Sequence, residues 1–131
     1  MLDLITGYWL SQLVYVAARL GLADLLARGP KTVTELARRT GTNAGVLRRA
    51  LRALASAGVF KEVPGERFAL TPTAATLRAD QPASMRGFAL MMVEGYNWQA
   101  WGRLLDGVKT GSSPMSGRRF CRAVGSWWWT R

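Results

Sequence analysis

The sequence predicts a mainly α protein: a winged helix-turn-helix with a small β-hairpin, flanked by apolar N-terminal helices and C-terminal connector helices. Three observations predict it. Thr32 and Glu35 have the spacing of a capping box, in which each residue satisfies an orphan backbone N–H of the other, and Gly41 then breaks the short helix they start. Leu47, Leu51 and Leu54 recur at helical spacing before Gly58. Pro64-Gly65 separates two short strand-like runs, as in a tight turn.

The elements follow in order. Residues 2–20 read as one helix, with Leu2, Ile5, Trp9, Leu13, Val16 and Leu20 on one face and Leu10, Val14 and Ala17 as a second stripe. A helix apolar on two sides wants burial on both, and a small domain offers one core face. The second stripe therefore predicts a dimer interface, with Tyr8, Trp9, Leu13, Val16 and Ala17 as candidate contacts; the competing reading is a central core helix. Gly21 interrupts the pattern, Leu22–Leu26 resumes it, and Arg28-Gly29-Pro30 stops it. Val33, Leu36 and Ala37 of the next helix should face inward.

Thr42 is expected to cap the longest helix of the module, about residues 43–57, with Gly58 as its left-handed C-terminal residue. Val59–Val63 and Arg67–Leu70 should form the wing. Thr71-Pro72 restarts a helical segment to about Leu77, and residues 83–94 and 96–109 read as two further helices rich in Met, Phe and Trp. No internal repeat is present. The expected organisation is therefore residues 1–30 as dimerisation helices, 31–80 as the winged module, 81–112 as connector helices, and 113–131 as a basic-aromatic tail.

Composition narrows the functions. At 131 residues and 49% apolar, the chain can bury a core. It has no histidine, which removes the commonest general base and metal ligand, and its eight acidic residues show no metal-cage spacing. No catalytic, cofactor-binding or metal-binding residue is assigned. The lone Cys121 excludes an internal disulfide and favours a reducing compartment. The N-terminus lacks a basic signal-like start, and the uncharged run Leu4–Ala18 is shorter than the ~20 residues of a membrane span. The expectation is a cytoplasmic protein without a membrane partner.

The net charge of +10 favours acidic partners, yet Arg118, Arg119, Arg122 and Arg131 lie in the tail with no acid among them. Within the module, Arg48, Arg49 and Arg52 on the second helix, with Lys61 and Arg67 on the wing, are the candidate DNA contacts of a small transcription regulator. The plain alternative is a solvated helix face. The helix start that usually reads base edges offers only Asn43, Ala44 and Gly45, so no specific nucleic acid is expected. Phe88, Met91, Met92, Tyr96 and Trp98 form an adaptable apolar and aromatic cluster suited to a flat ligand or to core packing.

The ordered series "LGLADLLARGPKTVTELARRTG", "LRRALRALASAGVFKE", "RFALTPTAATL" and "NWQAWGRLLDGVKTG" resembles the N-terminal region of S-adenosylmethionine (SAM)-dependent O-methyltransferases of the plant phenolic and bacterial carotenoid or polyketide type. The resemblance covers roughly residues 5–111. It implies an entwined homodimer whose winged helix does not act on DNA. It also implies that Phe88, Met91, Met92, Tyr96 and Trp98 stand beside the pocket of a small aromatic or polyketide-like acceptor, once a catalytic domain is present.

That family's SAM site lies in a following Rossmann-like domain with a glycine-rich loop, and its catalytic histidine lies there too. No two glycines here are one residue apart, so no G-x-G exists, and there is no histidine. The resemblance thus implies methyltransferase ancestry for a truncated chain that is inactive alone. After Gly111 the family pattern gives way to "SSPMSGRRFCRAVGSWWWTR". A reading-frame change near Ser112–Pro114 accounts for this composition; a genuine tail that docks on a membrane or nucleic acid is the rival account.

Overall fold

The computed structural model describes residues 1–112, and the tail expected at 113–131 lies outside the described residues. The chain divides into two compact units, one of residues 1–93 and one beginning at Glu94.

The first unit opens with α1 (Leu2–Arg19) and α2 (Leu22–Leu26), joined through Gly21 at φ +64°. Then come β1 (Lys31–Thr32), α3 (Val33–Thr40), α4 (Ala44–Ser56), β2 (Phe60–Val63), β3 (Arg67–Leu70), α5 (Pro72–Ala75) and α6 (Arg86–Val93). The strands form an antiparallel sheet in the order β1-β3-β2. The expected hairpin is present, with Phe60 opposite Leu70 and Val63 opposite Arg67. A third strand is added: Lys31 and Thr32 pair with Phe68 and Arg67.

Local chemistry explains the boundaries. The Thr32 hydroxyl accepts from Glu35 N–H at 3.2 Å, the first half of the expected box. The Glu35 carboxylate instead takes Lys31 and Arg39, and the hydrogen bond from Lys31 is the leading reason its pKa falls below the ordinary glutamate value. Asn43, rather than Thr42, caps α4: its side chain accepts from Val46 N–H at 3.0 Å, while Thr42 bonds the Thr40 hydroxyl. At the other end, Val59 N–H reaches Leu54 O and Gly58 N–H reaches Ala55 O, a Schellman closure with Gly58 at φ +75°.

The core of this unit joins Leu22 and Leu26 of α2, Val33 and Leu36 of α3, Leu47, Leu51 and Leu54 of α4, and Phe60 and Phe68 of the sheet. Phe68 and Leu36 are wholly buried. The inward face expected for α3 and α4 is the observed one.

The second unit contains α7 (Gly95–Gly102) and α8 (Leu104–Thr110), which ends at Gly111 in the left-handed region. The single helix expected over 96–109 is thus divided at Arg103, whose N–H donates to both the Gln99 and Ala100 carbonyls. Apolar spacing continues through the break, so periodicity does not reveal it.

Candidate functional site: the first helix and an apolar groove

Burial in α1 divides along the helix rather than around it. Ala17 and Ala18 are about 1% exposed and belong to the interior, and Leu13 and Val14 pack against the core. Toward the N-terminus, Leu2, Leu4, Ile5, Tyr8 and Trp9 are all exposed, Tyr8 at 51% and Trp9 at 57%. The Tyr8 and Trp9 rings meet edge to face with centroids 6.0 Å apart. Of the five candidate dimer contacts, Tyr8, Trp9 and Val16 are exposed, Leu13 is half-buried, and Ala17 is sealed within its own protomer. Ala17 therefore supports the helix from inside rather than offering surface to a partner.

Beside the exposed half lies an apolar groove of about 500 Å³. Gly7, Leu10, Ser11 and Val14 of α1 line one side, and Phe88, Ala89, Met92 and Val93 of α6 the other. Val59, Thr73 and Leu77 contribute to its lining. The hydroxyls of Ser11 and of the neighbouring Thr76 bond helix carbonyls of Gly7 and Thr73, so they are already engaged. The groove thus offers mostly apolar surface, including the Phe88 ring, which suits an uncharged, largely apolar ligand.

Two members of the predicted pocket, Phe88 and Met92, share this groove. Met91 lies on the same helix, half-buried, but does not line it. Trp98 is exposed on α7 in the second unit, and the Tyr96 side chain lies outside the described residues. Sequence reasoning missed Val59, Thr73 and Leu77. Only the fold brings these segments to α1.

The basic face of α4 is tied to the wing. Arg52 makes a forked pair with Glu62, at 3.0 and 3.1 Å, and this carboxylate is the main reason its proton affinity rises above the ordinary arginine value. Arg48 Nη1 lies 2.7 Å from Glu66 Oε1. Glu66 sits at φ +53°, and its carbonyl accepts Val33 N–H, so one residue ties the wing tip to both α3 and α4. Arg67 Nε turns back to the Pro64 carbonyl. Arg49 and Lys61 are exposed. Among the predicted DNA contacts, three are thus occupied by the chain's own acceptors.

Among the described residues no group of His, Cys, Asp or Glu could hold a metal ion, and no helix is long and apolar enough to cross a membrane.

The O-methyltransferase dimerisation domain matches residues 2–80. The chain belongs to that family. This O-methyltransferase dimerisation domain is 49% identical over 113 residues to the phenazine O-methyltransferase PhzM of Lysobacter antibioticus, covering 86% of this chain and 33% of that protein. It is 44% identical over 98 residues to the 8-amino-8-demethylriboflavin N,N-dimethyltransferase of Streptomyces davaonensis, covering 75% of this chain and 28% of the relative.

Among solved structures, LaPhzM superposes with a TM-score of 0.83 at 46% identity, covering 95% of this chain and 36% of that one. Human N-acetylserotonin methyltransferase, solved in complex with SAM, gives 0.77 at 28% identity, covering 83% and 33%. The chain spans about a third of the length of the relatives it matches. Family members are SAM-dependent methyltransferases, and a dimerisation domain implies a homodimer in the family. The glycine spacing of these 131 residues does not fit a SAM-binding loop of the G-x-G kind.

Proposed function

We propose that this domain builds the homodimer of a SAM-dependent methyltransferase and supplies one wall of its acceptor pocket. The acceptor is a small aromatic or polyketide-like molecule methylated on a hydroxyl, and the chemistry belongs to a catalytic domain outside these residues. The observation that carries the reading is the exposed apolar half of α1. Five large apolar side chains, Leu2, Leu4, Ile5, Tyr8 and Trp9, stand in solvent on a helix whose other end is built into the core. Contiguous apolar surface of this kind marks an association site. Phe88 and Met92 of the groove supply the acceptor wall, and Met91, Tyr96 and Trp98 are retained as proposed acceptor-side residues.

Light scattering at micromolar concentration tests the dimer. A dimeric mass supports the reading, and a monomer overturns it. Quenching of tryptophan fluorescence by a hydroxylated phenazine tests the acceptor wall separately; loss of the effect in Phe88→Ala would assign it to the groove. No observation favours operator binding, because Arg48 and Arg52 are held by Glu66 and Glu62.

A further inference from the structure

The two walls of the groove are unequal. Helix α6 is fixed in place: it packs along α1, Arg86 Nε donates to the Ala18 carbonyl at 3.1 Å, and Arg86 Nη1 donates to Asp24 Oδ2 at 3.1 Å. With that wall held, side-chain size decides how much of the groove stays open. The α1 wall consists of Gly7, Leu10, Ser11 and Val14, which recur at spacings of three and four and so share one helical face. At Gly7 and Ser11, one turn apart, the wall recedes. Ser11 turns its hydroxyl back onto the Gly7 carbonyl at 3.5 Å, and Gly7 has no side chain to offer.

Gly7 lies well inside α1, where glycine is the least favourable residue apart from proline. Two structural demands ordinarily account for a glycine, and neither applies. Gly7 is not among the glycines of positive φ, unlike Gly21 at φ +64°. Nor does a neighbour crowd it. A Cβ built there would meet no atom within 4 Å, whereas one at Gly45 would lie 3.3 Å from Asn43 Oδ1. What the missing side chain leaves is open space, and that space adjoins the groove. At about 500 Å³ the groove lies in the range of sites that hold drug-sized molecules, and a single ring would leave much of it empty.

We propose that Gly7 is a specificity-determining residue of the groove, keeping its α1 wall low so that a fused-ring apolar molecule fits where a larger side chain would restrict it to a single ring. The inference rests on the reading that the groove takes the acceptor, and it adds the size class of that acceptor.

Equilibrium dialysis of the full chain tests it, with 1-hydroxyphenazine as the tricyclic probe and 4-nitroanisole as the monocyclic one. The unaltered chain should bind the tricyclic probe more tightly. Gly7→Ala should weaken that binding severalfold and Gly7→Leu by about tenfold or more, while binding of the monocyclic probe hardly changes. Alanine and leucine are both better helix formers than glycine, so both variants keep α1 folded. Tricyclic binding that is unchanged in Gly7→Leu overturns the role of Gly7 and leaves the groove as a ligand site. Equal loss of both probes also overturns it, because the groove would then be blocked without selection. A changed mass of Gly7→Leu in sedimentation overturns it too, since Gly7 would then be an interface position. An unaltered chain that binds neither probe removes the groove as the acceptor wall, and this inference with it.

Discussion

The winged module and the first half of α1 carry similar apolar side chains with opposite fates. In the module, Leu36, Leu51, Leu54, Phe60 and Phe68 close on one another, and α3 and α4 each start at a side-chain cap and end at a left-handed glycine. In α1, Leu4, Ile5, Tyr8 and Trp9 project, more than half exposed, from a helix whose start has no side-chain cap. One region completes itself. The other is complete only when something else covers it. Stability should therefore reside in the module and association in α1, and substitutions in the two regions should affect different measurements.

Phe68→Ala should have the largest effect. It removes a wholly buried ring from the centre strand of the sheet and should cost about 3–5 kcal/mol, read as a lower denaturant midpoint. If the module tolerated it, the contrast between the regions would fail. Trp9→Ala should come next, weakening self-association by about 2 kcal/mol or more if it anchors the interface. Sedimentation across a concentration series would show the shift. Unfolding extrapolated to the monomer should hardly change, because Trp9 makes no part of the core.

Asn43→Ala should cost about 1 kcal/mol of module stability by leaving the Val46 N–H uncapped, with no effect on association. The smallest effect concerns pH. Glu35 has a folded-state pKa below its unfolded value, because Lys31 and Arg39 bond its ionised form. Its contribution is fully present above the ordinary glutamate pKa of about 4.3 and is lost as pH falls through the lower folded value. Glu35→Gln should flatten the urea midpoint's acid slope only slightly, since Asp80, lowered by Arg78, titrates in the same direction. An unchanged slope would remove Glu35 from the acid response.

Much of the module was legible because its signals are local. The Thr32 cap, the turn at Gly41, the leucine spacing of α4 and the glycine at its end each act within a few residues. The one-residue error at Thr42 arose because Thr and Asn are both good caps and the dihedral angles choose between them. Strand β1 was not legible: two residues carry no alternation, and only pairing with Phe68 and Arg67, more than thirty positions away, makes them a strand. The site was legible in part. Phe88 and Met92 were named for their chemistry, whereas Val59, Thr73 and Leu77 carry no sign of a groove in the chain itself.

The sequence by itself determined the order and type of most elements, the inward faces of α3 and α4, and the family resemblance, because helical periodicity and capping are short-range. Tertiary structure alone decided that Ala17 turns inward while Trp9 faces solvent, that Arg48 and Arg52 bind the wing's glutamates, and that Arg86 reaches Asp24. Those outcomes depend on groups 10 to 62 positions apart meeting in space, and periodicity along a single helix does not encode which distant side chain arrives.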